Sequence, residues 1–335
     1  MVEGVVDMKR PMISVLMSCF NAERWLAECV ESVLNQTIKD FEFIIVNDGS
    51  VDNTSAIINQ YALRDARIIL FEKENTGLAD SLNCGIRIAK GNWIARIDAD
   101  DICHNRRLEK QTRFVENNAE VVLLGSGFEE INTMGATLMR HKYPMRHLPL
   151  VRRLERFRAF FPHSSSFYKR DIVHKLGGYR HQFRRSQDWD LWLRMSEHGK
   201  LACVTEPLVK VRKHDNQVSH EHSGKRQLID CHAATISYFI RKFGVNDPIA
   251  NENDTKVIEF MTWVEERLGR KGVFQSREDW ANARTAFFSE DSSILGAFRL
   301  VNKIMKSPYA IPLLIEKMIG SDLPEQLARE WIDGQ

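Results

Sequence analysis

Short apolar runs alternate with longer periodic stretches through the first hundred residues. Ile13-Ser-Val-Leu-Met17, Phe41-Glu-Phe-Ile-Ile-Val46, Arg67-Ile-Ile-Leu-Phe71 and Trp93-Ile-Ala-Arg-Ile97 are rich in β-branched and aromatic residues. Each is short enough for a buried strand. Between them Trp25, Leu26, Cys29, Val30, Val33 and Leu34 recur at helical spacing, as do Leu78, Leu82, Ile86 and Ala89, and more loosely Ala56, Ile57, Tyr61 and Leu63. The alternation predicts βαβ units, hence an α/β fold with a mostly parallel central sheet and helices on both faces. Asn47-Asp-Gly-Ser50, Asn75-Thr-Gly77 and Lys90-Gly-Asn92 are turn signals where runs end. Asp52 or Asn53 is placed to cap the second helix. Val121-Val-Leu-Leu124 continues the sheet. From about residue 128 to 211 the two patterns mix, which predicts an antiparallel extension. Beyond about 219 strand signals stop. Residues 227–243 are helical by period, and two or three further helices are expected. The division predicted is a domain over 1–220 and a helical region over 221–335.

Composition narrows the class. The chain has 335 residues, 43% hydrophobic and 27% charged, ordinary for a globular chain and unlike disordered, collagenous or coiled-coil sequences. Lys+Arg 47 against Asp+Glu 45 gives a net charge of +2. That balance argues against a whole-protein nucleic-acid binder but allows a local basic patch. No apolar run is long enough to span a membrane, and residues 1–10 lack the apolar core of a secretory signal. Cys19, Cys29, Cys84, Cys103, Cys203 and Cys231 form no C-x-x-C pair. Reduced thiols packed as small hydrophobes are expected, and with them a cytoplasmic location.

Candidate chemistry begins after the fourth run, at Asp98-Ala-Asp-Asp101. Side chains alternate along an extended chain, so Asp98 and Asp100 share a side. Paired carboxylates at the carboxyl end of a central strand suit Mg²⁺ or Mn²⁺ completed by substrate phosphates. A solvated acidic turn or a helix cap before 106–115 is the plainer alternative. Ser18-Cys-Phe-Asn21, Asn47-Asp-Gly-Ser50 and Asn75-Thr-Gly77 follow the other runs and would gather at the same sheet edge. There is no G-x-G-x-x-G after the first run and no G-x-x-x-x-G-K-[ST], which disfavours dinucleotide dehydrogenases and P-loop enzymes.

Five segments in order carry a resemblance. Ile13-Ser-Val-Leu-Met-Ser-Cys-Phe-Asn21, Glu31-Ser-Val-Leu-Asn-Gln36, Val46-Asn-Asp-Gly-Ser-Val-Asp-Asn-Thr54, Asn75-Thr-Gly-Leu-Ala-Asp-Ser-Leu-Asn-Cys-Gly85 and Asp98-Ala-Asp-Asp101 together resemble the family 2 inverting glycosyltransferases. The resemblance spans about residues 12–215. It implies the GT-A fold, a donor half over about 12–127 and an acceptor half over about 128–220. It also implies a nucleotide-sugar donor, with UDP-sugars the commonest in the family. Position by position, Ser18 and Asp48 would contact the base, with Asn21 and Asn75 on the same donor side. Asp98 would hold the ribose or base side, and Asp100 the metal. Asp188, in Ser186-Gln-Asp-Trp189, stands at the family's catalytic base; Gln187 stands where the family usually has Glu. His214 falls near the family's Arg-x-His, as a metal ligand or phosphate donor, and Arg212 as a phosphate partner. His163 matches a position near the sugar. A helix-start acid, a surface histidine and a core histidine are the plainer readings of Asp188, His214 and His163 respectively.

Cations crowd the acceptor half: Arg140, Lys142, Arg146, Arg152, Arg153, Arg156 and Arg158, then Arg180, Arg184 and Arg185. They form either a solvated face or a contact for an anionic acceptor, such as a diphosphate-linked lipid carrying a glycan, or for anionic headgroups. Residues 303–319 alternate apolar and basic side chains, which fits packing on the rest of the chain or an interfacial helix. Trp263, Trp280 and Trp331 are anchors for that packing or for a homodimer. The overall expectation is a divalent-metal-dependent inverting glycosyltransferase acting on a glycan or lipid-linked acceptor in cell-surface polysaccharide synthesis. It would be cytoplasmic or peripheral at the inner membrane face. The rivals are a nucleotidyl or sugar-phosphate transferase on the same fold and a catalytically silent nucleotide-binding scaffold.

Overall fold

The structure, a computed structural model, describes residues 12–143, 146–158, 160–214, 225–250, 254–275 and 322–335. The chain divides into two compact units, Met1–Val151 with Phe160–Gln217 and Arg152–Ala159 with Val218–Gln335. The second unit takes Arg152–Ala159 from the middle of the first.

In the first unit the predicted alternation is β1 (Ile13–Cys19), α1 (Leu26–Leu34), β2 (Phe41–Asp48), α2 (Thr54–Ala62), β3 (Ile68–Lys73), α3 (Leu78–Ile88) and β4 (Trp93–Asp98). Then come β5 (Ile102–Cys103), α4 (Arg107–Glu116), β6 (Val121–Ile131), β7 (Thr137–His141) and α5 (His147–Glu155), whose residues from Arg152 on are counted with the second unit. β8 (Phe167–Lys169), α6 (Arg170–Lys175), α7 (Gln187–Ser196) and β9 (Lys200–Arg212) complete the unit. The sheet runs β3-β2-β1-β4-β8-β6-β9-β5, with β7 paired to β6. β3, β2, β1 and β4 are mutually parallel. β8 joins β4 and β6 antiparallel, which begins the expected antiparallel extension, although β6 and β9 run parallel inside it. β1 and β2 are buried almost throughout because helices surround the sheet, which is why both read as continuous apolar runs.

Register brings the polar ends together. Ser18 lies opposite Val46 on one side and Asp98 on the other, and Asp48 lies opposite Lys73. The carboxyl ends of all four parallel strands therefore open on one edge, where open α/β sheets bind ligands. At the opposite end, buried Glu42 accepts from Ser14 Oγ at 2.6 Å and from the Lys90 and Gly91 amides. A methyl group on Gly91 would run into the Ser14 backbone, so the turn there excludes a side chain. Asn53 occupies the cap position of α2 without a side-chain cap bond, whereas Asp52 Oδ1 accepts from the Thr54 amide at 3.0 Å.

The second unit contains α8 (Lys225–Lys242), α9 (Asp254–Arg270) and α10 (Leu323–Asp333). Trp331 meets Phe260 and Trp263 edge-on, at centroid distances of 5.0 and 5.1 Å. Two of the three predicted tryptophan anchors therefore pack inside this unit. Trp280, the basic apolar stretch 303–319 and the N-terminal residues 1–10 lie outside the described residues.

Candidate functional site

Asp48 ends β2 and is buried. Its Oδ1 accepts from Lys73 Nζ at 2.5 Å and from the Thr76 amide at 3.0 Å, and its Oδ2 from the Gly77 amide at 2.9 Å. Burial by itself would raise its pKa. The Lys73 ammonium and these amides outweigh it and hold the carboxyl below the usual carboxylate range. Gly77 sits at φ 97°, a left-handed backbone that glycine adopts without strain. Asn21, also left-handed at φ 49°, ties β1 to the turn after β2: its amide donates to Ser50 Oγ at 2.9 Å and its Oδ1 accepts from the Val51 amide at 3.0 Å. Ser18 is half-buried on β1 and Asn75 is exposed beside the Gly49 turn.

The centre of the edge is acidic. Carboxylate oxygens of Asp98, Asp100 and Asp101 lie within 4.8 Å of one another. Asp98, at the end of β4, is gripped by both terminal nitrogens of Arg96 and accepts from Ser164 Oγ at 2.7 Å. Arg96 stands two residues earlier on the same strand face and is 1% exposed. Asp100 Oδ2 lies 2.8 Å from His214 Nε2. Asp101 is buried, takes the Ser164 hydroxyl, and accepts from the Arg212 amide at 2.9 Å. Burial, and then the neighbouring carboxylates, push Asp100 above the usual range and Asp101 well above it.

Arg212 is placed beneath this cluster rather than at its mouth. It is 1% exposed. Its Nε donates to the Asp100 carbonyl at 3.0 Å, its Nη1 to the Asn132 and Thr133 carbonyls at 3.2 Å, and its Nη2 to Glu28. The side chain predicted as a phosphate partner is thus engaged by protein groups and holds the acidic turn in place. Trp25 lies against both Arg212 and the His214 ring, 5.3 and 4.4 Å away.

Asp188 lies in the first turn of α7, half-buried, with its Oδ1 accepting from the Trp189 amide at 2.9 Å. It is close enough to Arg96 and Asp98 to feel both charges. Burial raises its pKa, and the Trp189 amide and Arg96 only partly offset that. Gln187 beside it is buried, and its Oε1 has no hydrogen-bond partner. Asp190 is a structural ion: 1% exposed, it accepts from Arg194 at 2.6 Å and Arg180 at 3.3 Å. His163 Nε2 lies 2.7 Å from the Tyr179 hydroxyl, and burial, then Arg96, holds the imidazole well below its usual pKa. Arg184 is exposed and Arg185 half-buried, just before α7. The site therefore gathers Ser18, Asp48, Asp98, Asp100 and His214 on one edge, with Asp188 in electrostatic range. Arg96, Asp101, Ser164 and Glu28 were not singled out from the sequence. Arg96 carried a signal, a charge inside an apolar strand two positions before an aspartate. Ser164 and Glu28 carried none.

The donor set suits a hard divalent cation. Asp100 presents a carboxylate beside two others, and the Nδ1 of His214 is buried without a hydrogen-bond partner. Oxygen and imidazole donors of this kind fit Mg²⁺ or Mn²⁺.

Residues 14–177 match glycosyl transferase family 2. The O-antigen biosynthesis glycosyltransferase WbnJ of Escherichia coli is 33% identical over 235 residues, covering 69% of this chain and 90% of WbnJ. Among solved structures, S. aureus TarS 1–349 in complex with UDP-GlcNAc superposes with a TM-score of 0.59 at 14% identity, over 87% of this chain and 79% of that one. The mannosyltransferase PcManGT from Pyrobaculum calidifontis, in complex with GDP-Man and Mn²⁺, gives 0.54 at 16% identity, over 97% and 88%. The two structures share the fold; the sequence relationship assigns the family. With its parallel sheet, its acidic turn and its extensive match to WbnJ, the chain belongs to glycosyltransferase family 2.

Proposed function

We propose that this protein is a metal-dependent inverting transferase that moves a sugar from a nucleotide sugar, a UDP-sugar, to a hydroxyl of a glycan or lipid-linked acceptor. The pathway is cell-surface polysaccharide synthesis at the cytoplasmic face of the membrane, in keeping with the O-antigen role named for WbnJ. The observation that carries the reading is the meeting of Asp98, Asp100 and His214 at the carboxyl edge of the parallel strands, with Asp188 in electrostatic range.

Asp48 and Ser18 bind the base side of the donor, with Asn21 and Asn75 shaping the same rim. Asp98, fixed by Arg96, takes the ribose side. Asp100 and His214 would hold Mg²⁺ or Mn²⁺, which when bound offsets charge on the diphosphate. Asp188 accepts the proton of the acceptor hydroxyl as its oxygen bonds to the anomeric carbon and the nucleoside diphosphate leaves from the opposite face. A base must be ionised yet proton-accepting near neutrality, and a carboxyl raised by burial meets that need. His163, held neutral, and Gln187 face the sugar or acceptor side, with Arg184 and Arg185 at the entrance. The transferase domain is 1–220 and the helical region 221–335.

Calorimetric titration with UDP, GDP and dTDP, with and without Mn²⁺, tests this on the wild type and Asp100→Asn. Metal-dependent binding of UDP, lost in the variant, is expected. Folded protein that binds no nucleotide with metal present would overturn the reading, and preference for GDP or dTDP would overturn its donor.

A further inference from the structure

The hairpin of β6 and β7 presents apolar side chains to solvent. Asn132 Oδ1 accepts from the Met134 and Ala136 amides at 3.0 and 2.9 Å, and Gly135 takes φ 85° to close the turn. At the tip Met134 is 87% exposed, and on β7 Leu138 and Met139 are 58% and 56% exposed. The ribbon is anchored behind: His141 stacks on Phe128 at 4.4 Å, and Arg140 pairs with Glu129. These apolar groups therefore stand out from a fixed base.

The acids that border the ribbon are matched, Glu129 by Arg140 and Glu130 by His141 and Lys213. From Ile131 to Val151 there is no Asp or Glu, while Arg140, Lys142 and Arg146 fall in that stretch. The rest of the chain balances its signs almost evenly, 44 Lys and Arg against 45 Asp and Glu. Lys142 and Arg146 are exposed. Apolar side chains on a protruding turn beside unbalanced cations are what an anionic bilayer surface selects. The apolar groups enter the headgroup boundary and the cations meet the phosphates.

We infer that the β6–β7 hairpin docks on an anionic lipid surface through Met134, Leu138 and Met139, with Lys142 and Arg146 on the headgroups. The turn carbonyls of Asn132 and Thr133 are held by Arg212, which also holds the Asp100 carbonyl. Docking would therefore fix the acidic site at a set distance from the lipid. The inference rests on the transferase reading only for the purpose of that docking.

The test is co-sedimentation of the full chain with phosphatidylcholine vesicles, with and without phosphatidylglycerol, beside the triple variant Met134→Ser/Leu138→Ser/Met139→Ser and the double variant Lys142→Gln/Arg146→Gln. UDP titration is run on every protein. Wild type should bind the anionic vesicles and not the neutral ones, and binding should weaken with salt. The triple variant should lose binding at least tenfold, and each removed cation should cost about fivefold. UDP binding should be unchanged in all three, since these side chains lie outside the donor site. That separates failure here from failure of the transferase reading. Wild type that ignores anionic vesicles, or a triple variant that binds them equally, would overturn the inference. A wild-type dimer in light scattering that the triple variant breaks, with no vesicle binding, would assign the patch to a second copy instead.

Discussion

Asp188 gains its proton more readily in the native chain than in the unfolded one, because burial disfavours its ionised form. Strong acid leaves its contribution to stability at zero. As pH rises through the interval between the ordinary aspartate value and the raised one, native stability falls, and above the raised value the full penalty applies. Asp188→Asn removes the ionisable group without changing its size. It should lower kcat by about 10²–10⁴-fold and still melt higher than wild type at neutral pH, the two curves converging in acid. Equal melting at neutral pH would sink the burial argument. Wild-type turnover should rise with pH along a limb displaced above the usual carboxylate range. Arg96 acts on a neighbouring group. Arg96→Lys keeps the charge but loses the two-pronged grip on Asp98. UDP affinity should drop about tenfold, the scale of one charge-assisted hydrogen bond. Unchanged affinity would remove Asp98 from the donor site.

At the scale of elements, α7 carries Asp188 and is pinned by the buried pair of Asp190 and Arg194. Arg194 joins Asp190 to the Leu176 and Gly178 carbonyls, so the helix is locked to the turn after α6. Asp190→Ala strands a buried guanidinium and should cost about 3–5 kcal/mol. A calorimetric melt close to wild type would contradict that. The same lock explains part of what could be read beforehand. Leu191, Trp192 and Met195 recur at helical spacing along α7, and all three are buried. β1, β2 and β4 were legible because burial on both faces leaves a largely apolar run, whereas β3, at the sheet edge, was legible from Ile68-Ile-Leu-Phe71 alone. β6 was legible only over Val121–Leu124, because its further seven residues include Gly125, Gly127, Glu129 and Glu130, which break the pattern. Gly125 and Gly127 are there because a side chain would meet Phe161 or the Thr205 and His141 carbonyls. Asp98, Asp100 and His214 could be named in advance since they keep family spacing. The part played by Arg212 could not, because its partners come from three separate segments.

For the whole molecule, every cysteine is outside any disulfide, and five of the six are buried. Burial pushes the Cys203 thiol up to about 12, and burial with Asp52 and Asp48 does the same to Cys19. Ellman titration of the native chain should therefore count at most one rapidly reacting thiol, Cys231, and six in denaturant. Two or more fast thiols in native protein would contradict the packing. Arg212 carries a consequence for synthesis. Its partners lie 184, 112, 80 and 79 residues away along the chain, at Glu28, Asp100, Asn132 and Thr133. The parallel strands leave the ribosome first and can pair as they emerge, since N-terminal segments fold ahead of later ones. The acidic turn has to wait for β9. A nascent chain halted before Arg212 would hold a sheet edge ready for a nucleotide but no clamp for its carboxylates, so translation itself sets the moment at which the donor site comes into being.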